Sequence, residues 1–134
     1  MTEIETVQAF LSALASMDPA RVLAFAADDI VYENVSLPKA VGRREFEKQM
    51  QGFAKLCDRF EVEMIHIAQS GDVVLTERID GLGRGNYMAR FWVCGTFQVR
   101  DGKIVLWRDY FDWANLVGGL LKGLPNLLFG RTAG

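Results

Sequence analysis

The chain has 134 residues, half of them hydrophobic, with 15 Lys and Arg against 17 Asp and Glu for a formal charge of −2. That length and apolar content suit a single globular domain over residues 1–134 and leave no room for a second domain of ordinary size. Near-neutrality removes the bulk attraction that nucleic acid or an anionic membrane surface would exploit, so the expected partners are small and neutral. The two cysteines, Cys57 and Cys94, fit neither a metal-ligand spacing nor a disulfide framework and read as reduced core residues. The opening MTEIETVQAF is acidic and amphipathic, without the basic region and long apolar run of a secretory signal, and a cytoplasmic location is expected from it.

Val7, Phe10, Leu11 and Leu14 recur at helical spacing and predict a first helix. Asp18 followed by Pro19 supplies an N-cap and a proline at the first helical position for a second helix, carrying Val22, Leu23 and Phe25. Residues 30–34 read as a short strand and 36–41 as a proline-bearing loop. Gly42 leads into a third helix over 43–56, with Phe46, Met50 and Phe53 on one face. Four strands follow over 60–69, 73–81, 87–100 and 103–111. Turns at 70–72, 81–86 and 101–102 join them into an antiparallel meander.

Residues 88–99 are apolar on both faces, with Phe91, Val93 and Phe97 on one and Met88, Trp92 and Cys94 on the other. The sheet is therefore expected to be covered twice, by helices on one side and by a second subunit on the other, making a homodimer. The tail after Trp113, NLVGGLLKGLPNLLFG, is too short and too broken by glycines and Pro125 to span a membrane. A short helix and a loop closing a pocket or an interface are expected there. Helices followed by a long twisted meander predict an α+β domain whose sheet curls around the helices and leaves a deep apolar pocket.

The segment VVLTERID then stands out, because strand alternation puts Arg78 and Asp80 on one face with Val74 and Thr76. In KIVLWRDYF the same period puts Asp109 in a row with Val105, Trp107 and Phe111, otherwise the most apolar row of the segment. Charges buried in isolation are costly, so two such carboxylates need a cation, and Arg78 is within one pleat of Asp80. The simplest arrangement is Asp, Arg, Asp. Each residue also has a plainer reading. Arg78 and Asp80 can form a surface ion pair, and Asp109 can accept backbone hydrogen bonds. Tyr32 can be a core tyrosine and Asn34 a turn residue before Pro38. His66, the sole histidine, has no Ser or Cys pattern around it and reads as structural.

Tyr32 and Asn34 in VYENVSLP, Arg78 and Asp80 in LTERID, and Asp109 in GKIVLWRDYFD together resemble the catalytic set of the limonene-1,2-epoxide hydrolase family. That resemblance spans residues 29–112. It implies the cone-shaped fold shared with nuclear transport factor 2, SnoaL-like proteins and ketosteroid isomerase, a curved mixed β-sheet wrapped around N-terminal helices. It also implies hydrolysis of a small apolar epoxide, terpene-like or cyclic, to a vicinal diol, without cofactor, metal or covalent intermediate.

Opening an epoxide in one step needs an acid at the ring oxygen and a base on the attacking water, facing each other across the ring. Asp80 is assigned as the acid and Asp109 as the base, with Arg78 between them and Tyr32 and Asn34 holding the water. Leu37, Met64, Leu82, Trp92, Trp107 and Phe111 are expected to line the pocket and bind substrate. Two alternatives stand beside this reading: an isomerase or cyclase of the ketosteroid isomerase kind, and a non-catalytic small-ligand binding module of the same fold.

Overall fold

The computed structural model describes residues 1–125. Helix α1, Glu3–Ala15, starts with a reciprocal cap: the Thr2 side chain accepts from the Glu5 backbone N–H, and the Glu5 carboxylate accepts from that of Thr2. Helix α2, Pro19–Ala24, is capped by Asp18, whose carboxylate accepts from the Arg21 N–H at 3.2 Å. Helix α3 covers Arg43–Leu56 after Gly42, which sits at φ +90°, a conformation that side chains disfavour.

Among the described residues there are six strands: β1 Ala26–Asn34 and β2 Ala40–Val41 lie between α2 and α3, and β3 Arg59–Ser70, β4 Val73–Arg84, β5 Tyr87–Arg100 and β6 Lys103–Phe111 follow α3. They form one sheet in the order β2-β1-β6-β5-β4-β3, with β1 parallel to β6 and every other pair antiparallel. The meander β3 to β6 is as expected. The parallel β1–β6 pairing makes the sheet mixed and places β1 second from its β2 edge.

Three boundaries differ from the sequence reading. Strand β1 begins at Ala26 rather than at residue 30, because Ala26 already pairs with Ile104 of β6. The loop 36–41 contains β2, where Ala40 pairs with Tyr32. The turn placed at 81–86 shrinks to Gly85 and Asn86, with Gly85 at φ +58° and its N–H held by Asp58 at 3.0 Å. Gly81 and Gly83 are strand residues that make room for neighbours. A Cβ on Gly83 would stand 2.9 Å from Met88 Cε and 3.0 Å from the Arg59 guanidinium.

The concave face packs on α1 and α3 through an aromatic cluster. Phe10 meets Phe97 and Trp107 edge-on, and Trp107 stacks on Tyr32 with ring centroids 4.3 Å apart. The convex face is less covered than its apolar row implies. Met88 is buried, but Trp92, Cys94 and Thr96 are half-buried and Leu75 and Tyr110 exposed. His66 is also exposed there and pairs with Glu77 at 2.8 Å. Both cysteines are free, and the Cys57 thiol donates to Phe53 O.

Helix α4, Trp113–Lys122, is the short helix expected in the tail; residues 126–134 of that expectation lie outside the described residues. Among the described residues no helix is long and apolar enough to cross a membrane.

Candidate active site

Alternation on four adjacent strands brings the chemistry to one patch of the concave face. Thr76, Arg78 and Asp80 come from β4, Trp107 and Asp109 from β6, and Tyr32 and Asn34 from β1. Register aligns them: Tyr32 lies beside Trp107, Asn34 beside Asp109, and Gly95 of β5 between Thr76 and Asp109.

Arg78 is 0% exposed, and Asp80 and Asp109 are 3% and 4% exposed. Every guanidinium hydrogen has an acceptor. Nε and Nη2 donate to the two oxygens of Asp80 at 3.0 and 2.9 Å. Nη1 and Nη2 donate to those of Asp109 at 3.2 and 2.9 Å, and Nη1 also donates to Thr76 Oγ1 at 3.0 Å. Such a fork can bind two carboxylates at once because its five donors lie in one plane, which an ammonium cannot match. Phe97 lies under the guanidinium, 5.9 Å from its centre. The surface-pair reading of Arg78 and Asp80 is thereby overturned.

Two features tune the carboxylates. Burial is the largest influence on Asp109 and lifts its carboxyl above the ordinary range, against the pull of Arg78. Trp107 Nε1 donates to Asp109 Oδ1 at 2.9 Å, so Asp109 accepts from three donors where Asp80 accepts from two. For Arg78, burial opposes the charge, yet the two carboxylates outweigh it and hold the guanidinium above its usual value. The cluster would carry a net negative charge with both acids ionised, which a buried site disfavours.

Tyr32 is pushed well above its ordinary value, first by burial and then by the Asp109 charge, so its hydroxyl keeps its proton. Asn34 Nδ2 donates to Tyr32 Oη at 3.1 Å. Both side chains, with Asp80 and Asp109, open onto a cavity of about 390 Å³ whose remaining wall is apolar. Among the described residues no group of three or more His, Cys, Asp or Glu side chains is placed to hold a metal ion.

Over residues 1–122 the sequence matches the family model of the limonene-1,2-epoxide hydrolase catalytic domain. The chain belongs to the limonene-1,2-epoxide hydrolase family. It is 46% identical over 125 residues to the epoxide hydrolase EphG of Mycobacterium tuberculosis, covering 91% of this chain and 81% of that protein. The solved structure of a limonene-epoxide-hydrolase-like epoxide hydrolase from M. tuberculosis superposes with a TM-score of 0.86 at 43% identity, covering 96% of each chain. A putative SnoaL-like polyketide cyclase from Shewanella putrefaciens, 12% identical, shares the fold with a TM-score of 0.81 over 91% of this chain and 88% of its own. The protein is thus an epoxide hydrolase of the limonene-1,2-epoxide hydrolase type, on a nuclear-transport-factor-2-like scaffold.

Of the five residues singled out from the sequence in this epoxide hydrolase, Tyr32, Asn34, Asp80 and Asp109 are on the cavity wall, and Arg78 is buried out of the wall, bonded to the two carboxylates. Of the six expected lining residues, Leu37, Leu82, Trp107 and Phe111 are on the wall and Met64 and Trp92 are not. Met64 follows the concave face but packs against the hydrophobic core. Trp92 points to the convex face, where its indole N–H donates to Glu77 at 2.8 Å.

The sequence reading missed Phe91 on β5, Trp113 and Leu116 on α4, and Met50 and Phe53 on α3, all on the wall. It also missed Gly95, where a Cβ would stand 2.5 Å from Arg78 Nη1, 2.8 Å from Asp109 Oδ1 and 2.9 Å from Thr76 Oγ1. A lone glycine inside an apolar strand was the available signal for that close approach.

Proposed function

We propose that the enzyme adds water to a small apolar epoxide, terpene-like or cyclic, in a single step of general acid and base catalysis. Asp80 gives its proton to the ring oxygen as that carbon–oxygen bond breaks. Water attacks the same carbon from the opposite side and gives a proton to Asp109, and the product is a vicinal diol. The reaction starts with Asp80 protonated and Asp109 ionised and ends with the proton on Asp109, so a proton must return to Asp80 before the next turnover. One contact supports the base role: Trp107 Nε1 donates to Asp109 beside the two Arg78 donors, and these bonds favour the ionised form a base needs against the upward push of burial.

Tyr32 and Asn34 hold the water in this reading, being the polar side chains next to Asp109 on the cavity wall. Leu37, Leu82, Trp107 and Phe111 bind the apolar body of the substrate. The observation that carries the reading is Arg78 bridging two buried carboxylates at the polar end of an otherwise apolar cavity. A homodimer through the half-covered convex face belongs to the same proposal.

The test is a single turnover of limonene oxide and cyclohexene oxide in water enriched in heavy oxygen, with Asp109→Asn beside the wild type. Labelled diol in the first turnover, lost in the variant, is expected. Label that appears only after earlier turnovers would mean a covalent intermediate and overturn the one-step mechanism. Absence of diol from every epoxide would overturn the substrate class.

A further inference from the structure

Strand β6 ends at Phe111 opposite Val93, so the first half of β5 runs past it with one edge that no strand covers among the described residues. Helix α4 takes that edge. Asn115 Oδ1 accepts from the Trp92 N–H at 2.7 Å, and the Tyr87 hydroxyl donates to Leu120 O at 2.7 Å. Between these anchors the helix backbone touches the strand directly. A Cβ on Gly119 would stand 2.1 Å from Arg90 O, and one on Gly123 would stand 2.5 Å from Met88 O. No side chain of any kind fits at either place while the helix stays where it is. Gly118, by contrast, has nothing within 4 Å of such a Cβ.

The same helix supplies one wall of the catalytic cavity. Trp113 and Leu116 line it from α4 beside Phe91 and Phe111 of the sheet, and the Trp113 and Phe111 ring centroids are 5.9 Å apart. Leu116 is three residues before Gly119 and therefore lies on nearly the same helix face. The distance between Leu116 and the rest of the cavity is thus set outside the cavity, by how closely the helix backbone approaches β5.

We propose that Gly119 is a specificity-determining position of this hydrolase. Its missing side chain draws α4 onto the edge of β5 and fixes how far Trp113 and Leu116 reach toward the substrate. It is a positioning residue and touches no reacting group. Ordinary van der Waals contact for an added Cβ begins near 3.4 Å, so an alanine at 119 forces the helix out by about 1.3 Å. A wall displaced by that much makes room for an additional methylene-sized group and loosens a small substrate. The inference rests on the epoxide hydrolase reading of the cavity.

The experiment compares wild type, Gly119→Ala, Gly118→Ala and Leu116→Ala. It measures kcat and KM for cyclohexene oxide and a bulkier aryl-substituted epoxide, and calorimetric affinities for the two corresponding diols. In Gly119→Ala the large-to-small ratio of kcat/KM is expected to rise about tenfold, mostly through KM for the small epoxide, and the ratio of diol affinities to rise with it. Leu116→Ala, which trims the same wall directly, moves both ratios the same way, and Gly118→Ala moves neither.

A folded Gly119→Ala whose ratios stay within twofold of wild type overturns the proposal. If that variant does not fold, Asn115→Ala takes its place, since it cuts the helix's hydrogen bond to Trp92 without a clash; unchanged ratios there overturn it equally. Should wild type hydrolyse neither epoxide, the substrate reading fails, and the diol affinities decide the inference without turnover.

Discussion

Gly95→Ala is the perturbation whose cost can be worked most directly from the structure. The new Cβ meets Arg78 Nη1 at 2.5 Å, about 0.9 Å inside ordinary contact, and meets Asp109 Oδ1 and Thr76 Oγ1 at 2.8 and 2.9 Å. A side-chain tip can often swing aside, but this one has nowhere to go. Arg78 is wholly buried and held by five hydrogen bonds, so a shift of that size breaks at least one charge-assisted bond inside the protein.

One such bond is worth about 1.5–3 kcal/mol, and a buried pair pulled apart costs about 3–5 kcal/mol. A loss of roughly 2–4 kcal/mol in urea unfolding is therefore expected. Moving the carboxylates by close to an ångström should lower kcat on the order of 100-fold. Adding Thr76→Ala frees space on one side and should recover part of both losses. A Gly95→Ala protein with wild-type unfolding midpoint and kcat would refute the reasoning, because it would mean that the guanidinium cluster can be displaced without breaking.

Arg78→Lys keeps the charge but replaces a planar five-donor fork with three donors on one atom. One carboxylate is left poorly paired in the interior, and a loss of about 3–5 kcal/mol in urea unfolding, with near-complete loss of turnover, is expected. The pH profile of kcat/KM should fall on the acid side as Asp109 takes up a proton, with its limb above the ordinary carboxylate value of 3.8. Trp107→Phe removes a hydrogen bond that favours the ionised carboxylate, so that limb should move to higher pH. Stability responds with a definite sign: because the folded state holds the Asp109 proton more tightly than the unfolded chain, this contribution is complete below 3.8 and is lost as pH rises through the raised value. Denaturant midpoints of wild type and Asp109→Asn should therefore differ progressively, to the disadvantage of wild type, as pH rises through that window.

Which charged residues gather on the inward face was largely legible from alternation, and which residues shape the space around them was not. Period two placed Arg78, Asp80 and Asp109 on inward rows, since a charge in an apolar row must be paired, and pairing requires the strands to be neighbours. The Asp18 cap obeys a local rule and α2 was readable for that reason, while α1 and α3 were readable from the helical spacing of their apolar residues. The parallel β1–β6 pairing is a long-range contact with no local signature, so the start of β1 and the two-residue β2 were missed. Alternation also said that Trp92 lies on the face opposite Phe91, yet not which of two apolar faces encloses the cavity. The indole therefore looked like lining when it instead binds Glu77 on the outside.

Glycines carry the deeper reason for the gap. Gly81 and Gly83 resembled a turn because a glycine announces freedom of φ, but none of these strand positions needs positive φ. They are glycine because something else occupies the volume of the side chain: Met88 and Arg59 at Gly83, and the Arg78 guanidinium at Gly95. At Gly119 the occupant is a backbone carbonyl of the neighbouring strand. A sequence names the side chains that are present, and the identity of a missing one's occupant exists only once the strands and helices are assembled. The charged cluster is accordingly held together as much by the absence of a methyl group at Gly95 as by its own hydrogen bonds, and a substitution there tests the architecture of the site without replacing any of its polar side chains.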